Sequence, residues 1–334
     1  MATIKVVVTD YIEPDLKWEA DQFRQLGVEF ASHQLKFGSA AELVAAAGEA
    51  DVVIVNMARF DAEVIAGLRR CRLLIRHGIG YDNVDVAAAS QRGIVVANIP
   101  DYCVAEVAEQ AVMLMLACQR KLGQQAAILR ASAAQKQWDF ATINPVFRLR
   151  GKTVGIVGLG RIGGTVFQML QGFGVRLLVC DPYLSSERRQ SLDVTPIALA
   201  ELLPQADLVT IHTPLNAETH HLFDAPQFEQ MKPTAILINT ARGAIVNLLA
   251  LDQALRRGDL ALAGIDVYEQ EPPPSDFPLL HNERALCTPH LSWLSEESGW
   301  IIRQRIVADV QRCLRGEAPL SQVNPEVALR APHA

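Results

Sequence analysis

Gly158-Leu159-Gly160-Arg161-Ile162-Gly163 is a G-x-G-x-x-G run, and its surroundings give it meaning. It directly follows an apolar stretch, Thr153 to Val157. It opens a pattern with Ile162, Val166, Phe167 and Leu170 at helical spacing. A second apolar stretch, Arg176 to Cys180, ends in Asp181, about 20 residues past the loop. Strand, glycine turn, helix, strand and acid in that order form a dinucleotide-binding fingerprint. Gly158 permits the tight turn, Gly160 lets backbone approach a pyrophosphate, and Gly163 lets helix and strand pack closely. The helix N-terminus offers unpaired N–H groups and the positive end of its dipole. Asp181 can accept hydrogen bonds from both adenosine ribose hydroxyls, and its charge repels a 2′-phosphate. NAD(H) is therefore expected over NADP(H). Arg188 and Arg189, the nearest candidates for a 2′-phosphate, read as a solvated helix face.

A loop of this kind needs a parallel sheet with crossover helices, and the chain alternates accordingly. Strands are expected at 4–10, 28–31, 51–55, 72–76 and 93–98, with helices at 15–26, from 40, at 61–69 and at 85–91. The strand segments are apolar on both faces, as buried parallel strands are. A long helix is expected from 104 to 131, then a loop carrying Trp138, Asn144 and Pro145. A second alternation starts at Lys152 and runs through strands KTVGIVG, VRLLVCD, DLVTIH, TAILIN and ALAGIDV. Short helices are expected near 198–203, 224–230 and 247–257, and a final helix over 295–314. The end, with Pro319, Pro325 and Pro332, reads as an extended, partly mobile tail.

The 334 residues suggest about two domains. Half are hydrophobic and 20% are charged, a globular balance. The net charge of -6 argues against a dedicated nucleic-acid binder. No apolar run approaches the ~20 residues of a membrane span. No basic, then apolar, leader precedes the first strand. Cysteines at 71, 103, 118, 180, 287 and 313 form no C-x-x-C pair, so reduced thiols in a cytoplasmic protein are expected. His212, His220 and His221 lack metal-ligand spacing; adjacent His220 and His221 are expected to face different sides, and no metal is expected.

Several ordered motifs carry a resemblance. LRGKTVGIVGLGRIG is followed by TPLNAETHHLF, INTARGAIVN, AGIDVYEQEPP and CTPH. The series resembles the D-isomer-specific 2-hydroxyacid dehydrogenases from about residue 50 to 320. DPYLS at 181–185, CTPHLSWLSE at 287–296 and RHGIGYDNVD at 76–85 resemble the C-terminal-binding-protein branch of that family. The resemblance implies an α/β protein of two Rossmann-like parallel-sheet domains. Residues 1–101 and 291–334 would form a discontinuous substrate domain, interrupted by an NAD-binding domain at 102–290.

The resemblance also implies roles. Arg242 follows a strand and Asn239-Thr240-Ala241; alone it reads equally as a surface arginine, but in the family it clamps a 2-keto acid. Hydride transfer to a keto carbon leaves an alkoxide that needs a proton, and histidine suits that task near neutral pH. The resemblance gives it to His290 and gives the orienting carboxylate to Glu271, the acid before Pro272, over the nearby Glu269. It implies cofactor contacts at Gly158, Gly160, Arg161, Ile162, Gly163, Asp181, Thr213, Pro214, Thr219, Thr240, Ala241 and Asp266. Asp266 would accept from the nicotinamide carboxamide, while Pro214 equally suits a chain turn. Ile79 and Gly80 would offer backbone N–H groups to a substrate carboxylate, with Arg76 beside them and His77 structural. Trp293 would wall the substrate pocket or seat the final helix.

The function expected is therefore NAD-dependent interconversion of a 2-keto acid and a D-2-hydroxy acid. An NAD(H)-sensing corepressor without turnover is the alternative. A formate- or phosphite-oxidising relative finds no support in Trp293 or the RHGIG loop. The partners expected are a small 2-keto or 2-hydroxy acid and a second copy in a homodimer, with no direct nucleic-acid or membrane contact.

Overall fold

The structure is a computed structural model that describes residues 4–138 and 140–330. Its chain divides into two compact units, Met1–Cys103 with Ser295–Ala334, and Val104–Leu294. In the first unit β1 (Lys5–Val8), α1 (Lys17–Gln25), β2 (Glu29–Ser32), α2 (Ala40–Ala47), β3 (Val52–Val55), α3 (Ala62–Gly67), β4 (Leu73–Arg76), α4 (Val86–Gln91) and β5 (Val95–Ala97) follow one another. The strands lie parallel in the order β2-β1-β3-β4-β5. β3, Val-Val-Ile-Val, is buried at every position, which β-branched residues in a doubly covered strand explain. Ser39 and Glu42 form a capping box that starts α2, and Asp61 and Asp85 cap α3 and α4.

Strand order reverses between β1 and β3, where such sheets open a crevice at their C-terminal ends. Here the chain fills it. The buried Asp10 carboxylate accepts N–H groups of Asn56 (3.2 Å), Met57 (2.5 Å) and Ala58 (3.2 Å). Asn83 Nδ2 ties the carbonyls of Asn56 and Ala58 (3.1 and 2.9 Å). These donors already hold an anion, the chain's own carboxylate, and no G-x-G-x-x-G follows β1.

The second unit holds α5 (Val104–Gln119), α6 (Leu122–Gln135), β6 (Thr153–Val157), α7 (Arg161–Gln171), β7 (Arg176–Cys180), α8 (Ser186–Leu192), α9 (Leu199–Leu202), β8 (Leu208–Ile211), α10 (Ala225–Gln230), β9 (Ile236–Asn239), α11 (Leu248–Arg257), β10 (Leu262–Ile265) and β11 (Ala285–Cys287). The sheet is parallel, in the order β11-β10-β9-β8-β6-β7, and reverses between β6 and β8. α5 lies against β9 and β10. A Cβ at Gly264 would come within 3.2 Å of Leu114 Cβ and 2.9 Å of Ile238 Cδ1, so this strand glycine admits the helix.

Three expectations are corrected. The helix expected over 104–131 is two helices, because Lys121 takes a left-handed conformation (φ 53°, ψ 44°) with its Nζ on the Ile143 carbonyl (3.0 Å). β11 was not anticipated, whereas α8 is the helix read at Arg188 and Arg189. His220 and His221 do not diverge: His221 turns left-handed (φ 50°) and the rings stack with centroids 4.1 Å apart. No cluster that could hold a metal ion occurs among the described residues. No disulfide joins the six cysteines, and burial pushes the Cys71 and Cys118 thiols up to about 12. No helix among the described residues is long and apolar enough to cross a membrane.

The chain returns to the first unit through α12 (Glu296–Leu314). Arg303 binds Glu19 of α1 with both Nε and Nη2, beneath the paired rings of Trp18 and Trp300. The segment after α12 is docked, contrary to the mobile tail expected. Gln322 bridges Ala97 antiparallel, and Val323 N–H donates to Val96 O (2.8 Å). Buried Asn324 accepts from Val96 N–H (2.8 Å) and donates to Ile94 O (3.0 Å), so the open edge of β5 is covered. Pro332 lies outside the described residues.

Candidate functional site

The glycine loop leaves β6 at the point where the second sheet reverses. Gly158 has φ +90°, and a Cβ there would lie 2.8 Å from backbone atoms of His212 and Thr213, which leave β8. A Cβ at Gly163 would lie 2.0 Å from the Gly158 carbonyl oxygen, so both glycines are required by packing. Gly160 is different: its Cβ position meets nothing within 4 Å. The fold does not demand glycine there, whereas close approach of a ligand does. α7 starts at Arg161 and Ile162 with no side-chain cap on its N-terminal N–H groups. Asp181 accepts from Leu159 N–H (2.8 Å) and Tyr183 N–H (3.0 Å), tying the loop to the end of β7. The His212 ring turns inward onto Thr210 Oγ1 (2.9 Å), and burial pushes it down to about 3, so it stays neutral beside the loop. Thr240 Oγ1 is buried without a hydrogen-bond partner among the described residues. These features fit a dinucleotide.

Arg188 departs from the solvated face expected. Its Nη2 reaches back to the Gly160 carbonyl (3.4 Å), over the glycine loop. Arg189 donates to Leu184 O (3.0 Å). Thr219 is engaged in the turn after β8, donating to Pro214 O (2.7 Å) and accepting from Asn216 N–H (2.8 Å).

β9, β10 and β11 are neighbours, and their register aligns Asn239, Ile265 and Cys287. Everything expected to do chemistry in this unit follows within a few residues of that row. Past β9, buried Asn239 donates to Arg242 O (2.9 Å) and accepts from Ala241 N–H (3.0 Å), which shapes the Thr240-Ala241-Arg242 turn. Half-buried Arg242 donates Nη1–H to Ala241 O (2.8 Å). A Cβ at Gly243 would lie 2.0 Å from the Tyr268 carbonyl carbon, so the Arg242 turn and the loop after β10 touch backbone to backbone.

The two acids are sorted. Glu271 Oε2 lies 2.7 Å from His290 Nδ1, while Glu269 pairs with His221 Nε2 (2.9 Å) and accepts from Leu248 N–H (3.3 Å). Burial works against the Glu271 charge, yet the His290 hydrogen bond and charge, the Tyr268 N–H (3.0 Å) and nearby Arg242 hold its carboxyl below the usual range. A carboxylate only accepts, so Nδ1 carries the proton in the neutral ring.

Asp266 clasps the loop around His290. It is fully buried and accepts from Thr288 Oγ1, Leu291 N–H (3.2 Å), Ser292 N–H (2.9 Å) and Ser292 Oγ. Four donors fill the carboxylate's ordinary acceptor positions. All four come from the loop around His290, whose backbone is left-handed (φ 54°), a conformation that persists when neighbours over-determine it. Tyr268 adds a second hold, donating its hydroxyl to Thr288 O (3.0 Å). Asn239, Tyr268, Thr288 and Ser292 were not read as site residues; the only signal was their place within five residues of a strand end. Trp293 is half-buried, three residues past His290.

In the first unit, Arg76 ends β4 and folds back over Gly78, which has φ +146°. The Gly78 carbonyl accepts from Ile99 N–H (3.0 Å) and the Ile79 carbonyl from Asn98 Nδ2 (2.6 Å). C=O and N–H point oppositely across a trans peptide. The N–H groups of Ile79 and Gly80 therefore point together away from β5, and neither has an acceptor among the described residues. Two successive N–H groups form an anion cradle. His77 pairs with Glu13 (2.8 Å), whose carboxyl is held down to about 2: burial opposes this, but the His77 bond and charge prevail.

Comparison with known proteins agrees with this architecture. Residues 112–292 match the NAD binding domain of the D-isomer specific 2-hydroxyacid dehydrogenases. The D-3-phosphoglycerate dehydrogenase of Archaeoglobus fulgidus is 35% identical over 96% of this chain. This chain spans 59% of that relative's length. The glyoxylate reductase of Korarchaeum cryptofilum is 37% identical over 80% of this chain and 80% of its own. Among solved structures, an NADPH-dependent glyoxylate/hydroxypyruvate reductase from Sinorhizobium meliloti, in complex with NADP and malonate, superposes with a TM-score of 0.86. It is 28% identical, and the match covers 99% of each chain.

Proposed function

Because the chain belongs to the D-isomer-specific 2-hydroxyacid dehydrogenase family, we propose that it interconverts a 2-keto acid and a D-2-hydroxy acid with NAD(H). The observation that carries this is the junction of the Arg242 turn with the Glu271–His290 pair on three adjacent strand ends. Gly158, Gly160, Arg161, Ile162, Gly163 and Asp181 would hold the dinucleotide, with Thr213, Pro214, Thr240 and Ala241 along its nicotinamide half. When bound, it supplies or accepts the hydride. Asp181 favours NAD(H), and Arg188 over the loop offers charge to the pyrophosphate.

Arg242 presents a planar donor set to the substrate's carboxylate and carbonyl oxygen. His290, with Nδ1 engaged by Glu271, has Nε2 to deliver a proton as charge develops on that oxygen. Glu271 orients the ring through its contact with Nδ1. In the reverse direction Nε2 takes the hydroxyl proton. The Ile79 and Gly80 N–H pair, flanked by Arg76, binds carboxylate, and Trp293 bounds the side-chain space. The relatives' names span phosphoglycerate and glyoxylate, which share the 2-hydroxy or 2-keto acid unit these residues address. They name a dehydrogenase and reductases, which favours turnover over the corepressor reading.

The test is a panel of 2-keto acids, scored by loss of NADH absorbance, with NADPH in parallel. Turnover of at least one with NADH is expected; none, with NADH binding retained, would overturn the reading. Glu271→Gln removes the carboxyl that the pair holds low, so the acid limb of keto-acid reduction that its protonation sets should be lost, and an unchanged pH profile would count against the pair. Six cysteines without a disulfide suit a reducing, cytoplasmic setting. Exposed Met113, Leu122, Leu129, Trp138 and Phe140 on and after α5 and α6 suit a homodimer face. A sedimentation mass of two chains is expected, and a single-chain mass would reject the dimer.

A further inference from the structure

We propose that Asn98, locked by Ser321 of the segment after α12, is the positioning residue of the Ile79–Gly80 anion cradle. Carboxylate affinity would then be set in part by that C-terminal segment. The inference rests on the reading above, in which this cradle takes the substrate carboxylate.

One of the cradle's two anchors is backbone: Ile99 N–H on Gly78 O. The other is a side chain. Asn98 Nδ2 donates to Ile79 O at 2.6 Å, and this bond sets the plane of the Ile79–Gly80 peptide and hence the aim of the Gly80 N–H. Asn98 is buried, so few rotamers are open to it. Its amide could still flip by exchanging oxygen and nitrogen. Oδ1 would then face the Ile79 carbonyl, two acceptors at hydrogen-bond distance, which excludes the flip. The other end of the amide accepts Ser321 Oγ–H (3.0 Å), while Asn98 N–H donates to Ser321 O (3.2 Å). Ser321 is itself fixed, because Gln322, Val323 and Asn324 pair along β5. The relay Ser321–Asn98–Ile79 thus ends on the Gly80 N–H of the cradle.

Three variants of the full chain test it: Asn98→Ala, Asn98→Asp and Ser321→Ala. Asn98→Asp keeps the shape but sets a carboxylate against Ile79 O. The probes are the best 2-keto acid of the panel and oxalate, a carboxylate that cannot be reduced. Losing one buried hydrogen bond should raise KM and the oxalate inhibition constant roughly tenfold in both Asn98 variants. Ser321→Ala should move both in the same direction, roughly threefold. NADH affinity should be unchanged, and kcat should fall less than KM rises. Unchanged KM and oxalate affinity in folded variants would overturn the proposal. So would parallel losses of kcat and NADH affinity, the mark of a merely structural role. If Asn98→Ala does not fold, the other two variants decide. If the wild type reduces no keto acid, the functional reading fails. Calorimetric oxalate titration of NADH-saturated wild type and variants then still decides this proposal.

Discussion

Replacing His290 with asparagine should lower kcat for keto-acid reduction by about 10²- to 10⁴-fold, the usual worth of a positioned acid, and leave NADH affinity nearly intact. Asparagine is the informative replacement because of the backbone. His290 sits at φ 54°, where asparagine is tolerated and alanine is disfavoured. In His290→Ala, a loss of turnover mixes a missing proton donor with a shifted loop. In His290→Asn, the four bonds from the loop to Asp266 can persist, so the deficit reports the imidazole. A fluorescence titration with NADH and a single-turnover measurement separate binding from chemistry. Near-normal single-turnover rates in folded His290→Asn would remove His290 from the mechanism. His290→Ala should be at least as slow, and its melting temperature should be the lower of the two.

The contrast between Glu271 and Asp266 shows what the sequence could convey. Glu271 was legible because a short ordered motif, with a proline behind it, separates it from Glu269, and the structure pairs each acid with its own histidine. Asp266 was legible as an acid ending a strand, but not as the clasp of the His290 loop. That depends on β11, a three-residue strand with no periodicity to read, laying Thr288 beside Asp266. The glycine loop was legible for the opposite reason: Gly158 and Gly163 answer local steric demands, which their close approaches display. The break at Lys121 was not, since the residue that turns left-handed is a lysine, and nearby Gly123 lies inside α6. A single left-handed residue costs roughly 1–2 kcal/mol, which tertiary contacts offset. The prolines near the C-terminus suggested mobility, yet a buried asparagine side chain docks that segment onto β5. In each failure the deciding partner lies far along the chain.

Arg242→Lys should reduce kcat/KM for the keto acid by about 10²- to 10³-fold, the scale of losing a preorganised donor to developing negative charge. The loop will hold its shape. Asn239 fixes the turn through the Ala241 N–H and the Arg242 carbonyl, and Gly243 seats it on Tyr268, none of which involves the guanidinium. Lysine keeps the charge but loses the rigid fork that addresses two oxygens at once. NADH affinity should therefore hold while KM rises and kcat falls. Equal kinetics for lysine and arginine would show that only the charge matters. The pH profile tells charge from shape. Arg242 is one of the groups that hold the Glu271 carboxyl low against its burial. Arg242→Lys preserves that influence, so the acid limb should stay in place. Arg242→Met removes it, so Glu271 should take up its proton at higher pH. The Glu271–His290 pair would then dissolve earlier on acidification, and the acid limb should move upward. An acid limb in Arg242→Met identical to that of the wild type would mean that the two loops do not communicate electrostatically, despite their backbone contact at Gly243.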